Sequence, residues 1–440
     1  MSFTTKQLSE YVEGVLHGNG LFECSGAEID SRQPLNGKVF FALKGEHADG
    51  HVFVEKAVLN GCSAVVVEHL CNVAVPQIVV PNAREALFQL AQSRRNEMDL
   101  KSVIAVTGSV GKTTTKDILG CLFGDNAVIS IKSYNNDLGV PLTILAAEQA
   151  SYLVTEIGAN DVGEIEPLAR LVQPDVAILT SIEKAHLEGF KNTKTVLLEK
   201  AKLLQQVPAD GFVIVPDTID LSDVVLEATV ITVGKTQSAD VVVETGSDSQ
   251  GFATLRMGQT SVTLSLLGEH NAMNAALAIV AILHTTDSTT LDALLSLAAK
   301  AKAPTGRLQR EEVNGVTFLD DSYNANPASM RSALQLFSSL QANRKVLVLG
   351  DMLELGESSH AEHRALISCV DKAKADIVIF VGTAFERVGC STALHLPNAD
   401  NLDTVVSLLH QGDLVLVKGS RGLRLERLVE LFRQMKVLEH

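Results

Sequence analysis

Val103-Ile-Ala-Val-Thr-Gly-Ser-Val-Gly-Lys-Thr-Thr-Thr115 is the stretch on which the fold of this chain turns. Val103–Thr107 is a short apolar run and predicts a strand. Gly108-Ser-Val-Gly111 is a tight turn, and Lys112-Thr-Thr-Thr-Lys-Asp-Ile-Leu119 opens a helix. A nucleoside triphosphate needs that order. Around Gly108, Ser109, Val110 and Gly111 the glycines let backbone N–H groups approach phosphate oxygens, and the helix N-terminus adds a favourable dipole. Lys112 can reach the β and γ oxygens, the Thr113 hydroxyl can ligate Mg2+, and Thr114 belongs to the same first turn. The competing reading is a glycine-rich turn that holds nothing; strand, turn, Gly-Lys-Thr and helix in register favour the phosphate loop. The general pattern Gly-x-x-x-x-Gly-Lys-Ser/Thr would put its first glycine at 106, where this chain has Val106.

Around this loop the chain alternates. At 440 residues it fits two to four domains. Residues 1–98 hold short strands such as Lys38–Leu43 and Ala64–Glu68 between Gly-rich turns, after an N-terminal stretch that reads as an amphipathic helix with Leu8, Val12 and Leu16 on one face. Residues 99–303 continue from the loop through Val154–Ile157, Val176–Thr180 and Phe212–Val215, apolar strands of the kind found in parallel sheets covered on both faces. Lys300-Ala-Lys-Ala-Pro-Thr-Gly306 reads as a linker. Residues 304–440 alternate again, with strands at Val346–Leu349, Ile377–Val381 and Leu414–Val417. The expectation is an α/β protein of three domains: a small α/β N-terminal domain, a central P-loop domain with a parallel sheet, and a C-terminal Rossmann-like α/β domain.

Composition narrows the partners. Hydrophobic residues make up 46% and charged residues 20%, as in an ordinary globular protein. Lys+Arg 37 against Asp+Glu 52 leaves a formal charge of −15, which argues against nucleic acid while leaving room for a local cationic site. No secretory signal is visible, and the longest apolar run, Ala275–Leu283, cannot span a bilayer. Six scattered cysteines (24, 62, 71, 121, 369 and 390) include no Cys-x-x-Cys pair. They read as buried free thiols of a cytoplasmic protein.

Further residues gather around the loop. Thr107-Gly-x-x-Gly-Lys-Thr113 resembles the Mur ligases and the related folylpolyglutamate synthetases, which join a carboxylate to an amine. Glu156 ends a strand in Thr155-Glu-Ile-Gly-Ala-Asn160, His186 follows the next strand, and Lys200 lies on a predicted helix. Acidic and imidazole groups at strand ends suit Mg2+ held with substrate phosphates. The resemblance implies that Glu156 and His186 bind a second Mg2+ and that Lys200 is carbamoylated, turning a cation into an anionic oxygen ligand. Lys200 stands fourteen residues after the histidine, as in the family, with Lys202 the fallback. Taken singly, His186 is equally a cap or core residue, and Lys200 a solvated helix position.

On the nucleotide side, Asn271 and Asn274 share a helix face and could bond an adenine edge, unless Asn271 merely caps the helix. The resemblance implies that Arg307 contacts the γ-phosphate and Asp321 the ribose of ATP. It implies uridine binding by the segment holding Ser31 and Arg32, with Phe40–Gly45 and Asp49-Gly-His51, and substrate contacts at Asn135 and Asn136. The substrates implied are UDP-N-acetylmuramoyl-tripeptide and D-alanyl-D-alanine, handled by a monomer through an acyl phosphate. Lys418-Gly-Ser-Arg421-Gly-Leu-Arg424 either holds a substrate carboxylate or is a solvated helix start. Two rivals remain: a folate-polyglutamating ligase, and a non-catalytic P-loop module that binds ATP without releasing phosphate.

Overall fold

The computed structural model describes residues 2–45, 48–147, 150–183, 190, 192–286, 289–389 and 393–435. His186 and Cys390 lie outside them. Among the described residues twenty-two strands are numbered in chain order, β1 (Phe3–Thr4) to β22 (Asp413–Lys418).

The loop's own strand, β8 (Ser102–Thr107), is buried along its whole length. Its side chains alternate: Val103 and Ala105 enter one core, Ile104 and Val106 the other. A strand with apolar residues on both faces belongs in the middle of a parallel sheet. β8 sits there, between β10 (Tyr152–Glu156) and β11 (Val176–Leu179), both parallel to it. β9 (Ala127–Ile129) lies outside β10, while β12 (Phe212–Pro216), β13 (Thr229–Gly234) and β14 (Val241–Ser247) continue beyond β11. An antiparallel meander, β14 with β15 (Phe252–Met257) and β16 (Thr260–Leu267), then extends the sheet to nine strands. Its alternating sequence, half exposed, is that of a one-sided sheet, so the parallel expectation holds for only part of it. Helices Lys112–Phe123 and His270–Leu283 cover one face. On the other face lies a core shared with the N-terminal part, where helix Ala83–Glu97 packs on helix Gly139–Ala146.

The N-terminal sheet runs β2 (Val15–His17), β7 (Gln77–Val79), β6 (Ala64–Val67), β5 (Val39–Phe41), β4 (Ala27–Glu28). The helix expected from Leu8 through Leu16 stops earlier. It spans Thr5–Tyr11, with Leu8 and the cap residue Val12 buried, and Leu16 lies on β2 instead. Gly14 intervenes; a Cβ there would meet Ile78 at 2.5 Å and Val80 at 2.9 Å, so glycine lets the chain leave the helix and pass close to the sheet.

The C-terminal sheet runs β17 (Gln309–Val313), β18 (Val316–Asp321), β22, β19 (Arg344–Gly350), β20 (Ile377–Val381), β21 (Leu394–Leu396). All but β17 are parallel. The five described cysteines are free, but only Cys24 and Cys62 are buried. Cys71, Cys121 and Cys369 are partly exposed, so the reading of buried thiols is corrected for them. Among the described residues no helix is long and apolar enough to cross a membrane.

Candidate active site

A cavity of about 420 Å3 opens at the carboxyl ends of β8, β10 and β11, between the central and C-terminal sheets. In open α/β sheets that is where ligands bind, because helix N-termini and loops converge there. Ser109, Val110, Gly111, Lys112 and Thr114 line it from the loop, and Arg307, Asp321, Tyr323 and Lys418 line it from the opposite side.

The loop is held by the end of β11. Val110 N–H donates to Ser181 Oγ at 2.9 Å, Thr180 Oγ1 donates to Val110 O at 2.5 Å, and Ser109 N–H donates to Ser181 O at 2.9 Å. Two glycines make this geometry possible. Gly108 has φ +147°, and a Cβ there would collide with the Thr180 hydroxyl; Gly111 has φ +90°, and its Cβ would stand 2.6 Å from Asn274 Oδ1. Helix Lys112–Phe123 starts at once, with no side chain capping its first turn.

Lys112 Nζ donates to Gly108 O at 2.8 Å. Desolvation pushes its ammonium down from the ordinary lysine value, opposed by Glu156 and aided by Arg307. Glu156 is fully buried at the end of β10. Thr113 Oγ1 donates to its Oε2 at 2.7 Å and Asn135 Nδ2 to its Oε1 at 2.8 Å. Among the described residues no cation lies within ion-pair distance of it. A buried carboxylate met only by a hydroxyl and an amide is costly. Together with Thr113 it offers the hard oxygen donors that a small divalent cation prefers, so these residues fit Mg2+.

Lys200 is 2% exposed on helix Thr193–Leu204. Its Nζ makes no hydrogen bond to a described residue. Burial first, then the charge of Lys112, pushes its pKa down to about 7, against the pull of Glu199 and Glu156. Lys202 points elsewhere and pairs with Glu199 at 2.9 Å. So one lysine of the pair is buried toward Lys112 and Glu156, and the other is spent on a neighbouring carboxylate.

Ser133 connects the two walls: its hydroxyl lies 3.2 Å from Thr113 Oγ1 and accepts from Arg307 Nη2 at 3.4 Å. The segment carrying it is tied down by Lys116, which is fully buried, donates to Ser130 O and Lys132 O at 2.8 and 3.1 Å, and pairs with Asp117. Sequence reading passed over Ser133 and Lys116, because a serine in a loop and a lysine inside a helix carry no signature of their own.

Asn271 and Asn274 are buried and line the cavity. Asn274 Nδ2 donates to Asn271 Oδ1 at 2.9 Å, and Asn271 Nδ2 donates to Leu267 O at 2.8 Å. Glu269 occupies the N-cap position, so the capping alternative for Asn271 is set aside. Across the cavity, Arg307 stacks on Tyr323, with its guanidinium carbon 4.3 Å from the ring centre. Asp321 pairs with buried Lys418 at 2.7 Å and accepts from Leu308 N–H at 3.1 Å. Lys418 is therefore already engaged; Arg421 is exposed, pairs with Glu426 at 3.1 Å, and has its guanidinium carbon 5.7 Å from the Tyr323 ring centre.

The remaining expected substrate residues fall into two groups. Asn136 lines the cavity and its Oδ1 accepts from Gly139 N–H at 3.0 Å, shaping the start of helix Gly139–Ala146. Ser31 and Arg32 are not among the cavity-lining residues. Ser31 is buried, and Arg32 grips Asp30 through two hydrogen bonds of 2.8 Å, holding that carboxyl well below the usual range. His51 buttresses the same unit: its Nε2 accepts from Glu68 N–H at 2.8 Å and its Nδ1 meets Asp49 at 2.6 Å. An Arg84–Asp137 pair at 2.6 Å links this unit to the segment that carries Asn135 and Asn136.

Three family models cover the chain in succession. The model of the Mur ligase family, catalytic domain, matches residues 23–107, that of the Mur ligase middle domain residues 106–282, and that of the Mur ligase, glutamate ligase domain, residues 306–421. The UDP-N-acetylmuramoyl-tripeptide–D-alanyl-D-alanine ligase of Haemophilus influenzae is 32% identical over 98% of both chains, and that of Bacillus subtilis 33% over 97% of both. Among solved structures, MurF from Acinetobacter baumannii superimposes with a TM-score of 0.86 at 31% identity, covering 99% of each chain. MurF ligase from Thermotoga maritima in complex with ADP gives 0.78 at 26% identity, covering 93% of this chain and 97% of that one.

Proposed function

This chain belongs to the Mur ligase family, and from that premise we propose that it is an ATP-dependent ligase joining D-alanyl-D-alanine to UDP-N-acetylmuramoyl-tripeptide. One observation carries the reading: a single cavity lined by the phosphate loop on one side and by Arg307 and Asp321 on the other. The domain limits that accompany it are 1–98, 99–303 and 304–440. The chain leaves one sheet at Val79 and enters the next at Ser102, then leaves that at Leu267 and enters the third at Gln309.

A carboxylate does not acylate an amine at neutral pH, because oxide is a poor leaving group. The terminal carboxylate of the tripeptide therefore attacks the γ-phosphorus of ATP; the bond to the bridging oxygen breaks, ADP departs and an acyl phosphate forms. The amine of D-alanyl-D-alanine then attacks the acyl carbon, phosphate leaves with the bonding pair, and one N–H proton is lost as the amide forms. Lys112 and Arg307 face the transferring group from opposite walls and neutralise its charge, where phosphoryl-transfer enzymes gain most. Thr113, Glu156 and Lys200, the last as its carbamate, would hold Mg2+, with His186 assigned there from sequence alone. Bound Mg2+ would supply further neutralisation of phosphate charge. Asn271 and Asn274 lie on the adenine side and Asp321 on the ribose side, while Ser31, Arg32, Asn135 and Asn136 serve the UDP-linked substrate.

The test is phosphate release from ATP with UDP-N-acetylmuramoyl-tripeptide and D-alanyl-D-alanine, set against folate with glutamate. Release with the first pair alone is expected. Release only with the second pair, or with neither, overturns the assignment.

A further inference from the structure

The C-terminal wall of the cavity is built from the ends of three neighbouring strands, β18, β22 and β19. Tyr323 and Asn324 line it after β18, Lys418 at the end of β22, and Glu354 after β19. The first two segments are tied directly, since Lys418 Nζ donates to Asn324 O at 2.9 Å. The third carries the strain. Glu354 has φ +65°, a left-handed conformation that a glutamate side chain seldom adopts. Such a residue persists only when its surroundings over-determine it.

A histidine inside the domain supplies one determinant. His363 lies on helix Ser359–Lys372, is 0% exposed and is not among the cavity-lining residues. Its Nε2 accepts from Met352 N–H at 3.0 Å, and its Nδ1 stands 2.7 Å from Ser359 O, one turn back on its own helix. A backbone N–H can only donate, so Nε2 is the bare nitrogen and Nδ1 carries the proton. Burial pushes the imidazole below its ordinary value, against the pull of the Ser359 carbonyl and the Asp351 carboxylate, which favours this neutral form. The ring meets Phe385 edge-on with centres 4.7 Å apart, so packing fixes its plane.

The rest of the loop is fixed around this bond. The Asp351 carboxylate accepts from Ala384 N–H at 2.9 Å and Phe385 N–H at 3.2 Å, and Asp351 O accepts from Ser420 N–H at 3.1 Å. Leu353 N–H donates to Ser420 Oγ at 2.8 Å, and that hydroxyl donates to Ala325 O at 3.5 Å. Ser420 is buried and joins the loop after β19 to the segment after β18. In that segment Tyr323 N–H donates to Gly306 O at 3.0 Å, and the Tyr323 ring carries Arg307. The placement of Arg307 is thus continuous, contact by contact, with the placement of Met352.

We propose that His363 is a positioning residue of the ligase, fixing through Met352 N–H the loop that faces the phosphate loop across the cavity, with Ser420 as the second anchor. This rests on the ligase reading above and adds how the wall that presents Arg307 keeps its shape. Histidine suits the place because one nitrogen accepts from the loop while the other returns its proton to the helix, so neither is left unpaired in the core.

The experiment uses the full-length chain and two readouts. One is steady-state phosphate release with ATP, UDP-N-acetylmuramoyl-tripeptide and D-alanyl-D-alanine; the other is amide hydrogen exchange followed by mass spectrometry. His363→Met fills the space but strands Met352 N–H. It should speed exchange in the peptide covering 350–356 by about tenfold and lower kcat by about tenfold, with each KM within about threefold of native. Exchange across Ile377–Val381, in the same sheet, should stay native. His363→Gln, whose amide oxygen can accept from Met352 N–H, should recover most of both losses. Ser420→Ala leaves only a small void and should show the same pattern to a lesser degree. A native kcat in His363→Met, or in Ser420→Ala where His363→Met does not fold, overturns the proposal. So does a His363→Gln variant no better than His363→Met, and so does loosening spread evenly over the sheet, the mark of a brace for the fold alone. Exchange needs no turnover, so a native chain that joins no substrates would overturn the ligase reading while the anchorage of the loop is still measured.

Discussion

The two walls of the cavity treat charge in opposite ways. On the central wall Glu156 is fully buried with only Thr113 and Asn135 on its oxygens, and Lys200 is buried without a hydrogen bond to a described residue. On the C-terminal wall Asp321 and Lys418 satisfy one another at 2.7 Å, and Arg307 rests on Tyr323. Uncompensated buried charge costs stability, and a fold keeps it where a ligand will complete it. Under the proposed function, the central wall is the side that would receive phosphate and metal. The C-terminal wall is balanced on its own, and suits a unit that presents Arg307 while holding its own shape.

The largest effects should come from breaking the central wall. Lys112→Met and Lys200→Ala should each lower kcat by about 10²–10³-fold or more, since each removes a charge from the transferring phosphoryl group or its metal. Added small carboxylates should partly restore Lys200→Ala, because they can stand in for the carbamate oxygens, and should do nothing for Lys112→Met. Lys202→Ala, which loses only the Glu199 pair, should stay within about threefold of the native rate. Steady-state phosphate release reads all three. Full activity in Lys200→Ala would end the carbamate assignment.

On the other wall the same kind of change should act on stability. Asp321→Asn leaves Lys418 charged and nearly solvent-free, so unfolding of the C-terminal unit in urea should become easier by about 3–5 kcal/mol. Adding Lys418→Met should recover much of that loss, because the stranded charge is gone. If Asp321→Asn is as stable as the native chain, the pair is not the brace described here, and the contrast between the walls fails.

The sequence made the walls unequally legible for the same reason. Strands such as Val103–Thr107 and Ile377–Val381 announce themselves because a parallel strand covered on both faces must be apolar throughout. The β14–β16 meander was not anticipated, since half-exposed strands with Thr, Ser and Glu on one side show no continuous apolar run. The helix through Leu16 was overrun because helix and strand both place an apolar residue every few positions over so short a span. In the cavity, the loop glycines and Lys112 are visible through local spacing. Ser133, Lys116 and the Asp321–Lys418 pair are not: they are set by contacts between segments far apart in the chain, and no periodicity encodes such contacts.

Lys116 offers a finer cut within the central wall, since it touches no part of the cavity yet holds the carbonyls of Ser130 and Lys132. Lys116→Met keeps the length of the side chain and removes those bonds. Ser133 and Asn135 would lose their anchorage to Thr113, Arg307 and Glu156, while the helix itself should persist. The expected result is a fall in kcat/KM of about tenfold with a higher Mg2+ requirement, against a melting temperature changed by only a few degrees. A rate loss matched by an equally large loss of stability would show a brace for the fold rather than for the site.

The smallest effect tests the electrostatics of Lys200 directly, without turnover. Burial holds its folded pKa near 7, against 10.5 for the ordinary side chain. Between those values the unfolded chain binds a proton that the folded chain does not, so stability should rise with pH across that window, and the contribution is missing below it. The slope from this one group is at most about 1.4 kcal/mol per pH unit. Urea unfolding at about pH 7.5 and about pH 9.5 in CO2-free buffer measures it, other groups being cancelled by comparison with Lys200→Met. The native chain should gain more stability over that interval than Lys200→Met, whereas Lys202→Met, altered at the partly exposed lysine, should keep the native slope. Equal slopes in native and Lys200→Met would mean that Lys200 stays protonated in the folded chain, and a protonated amine cannot take up CO2.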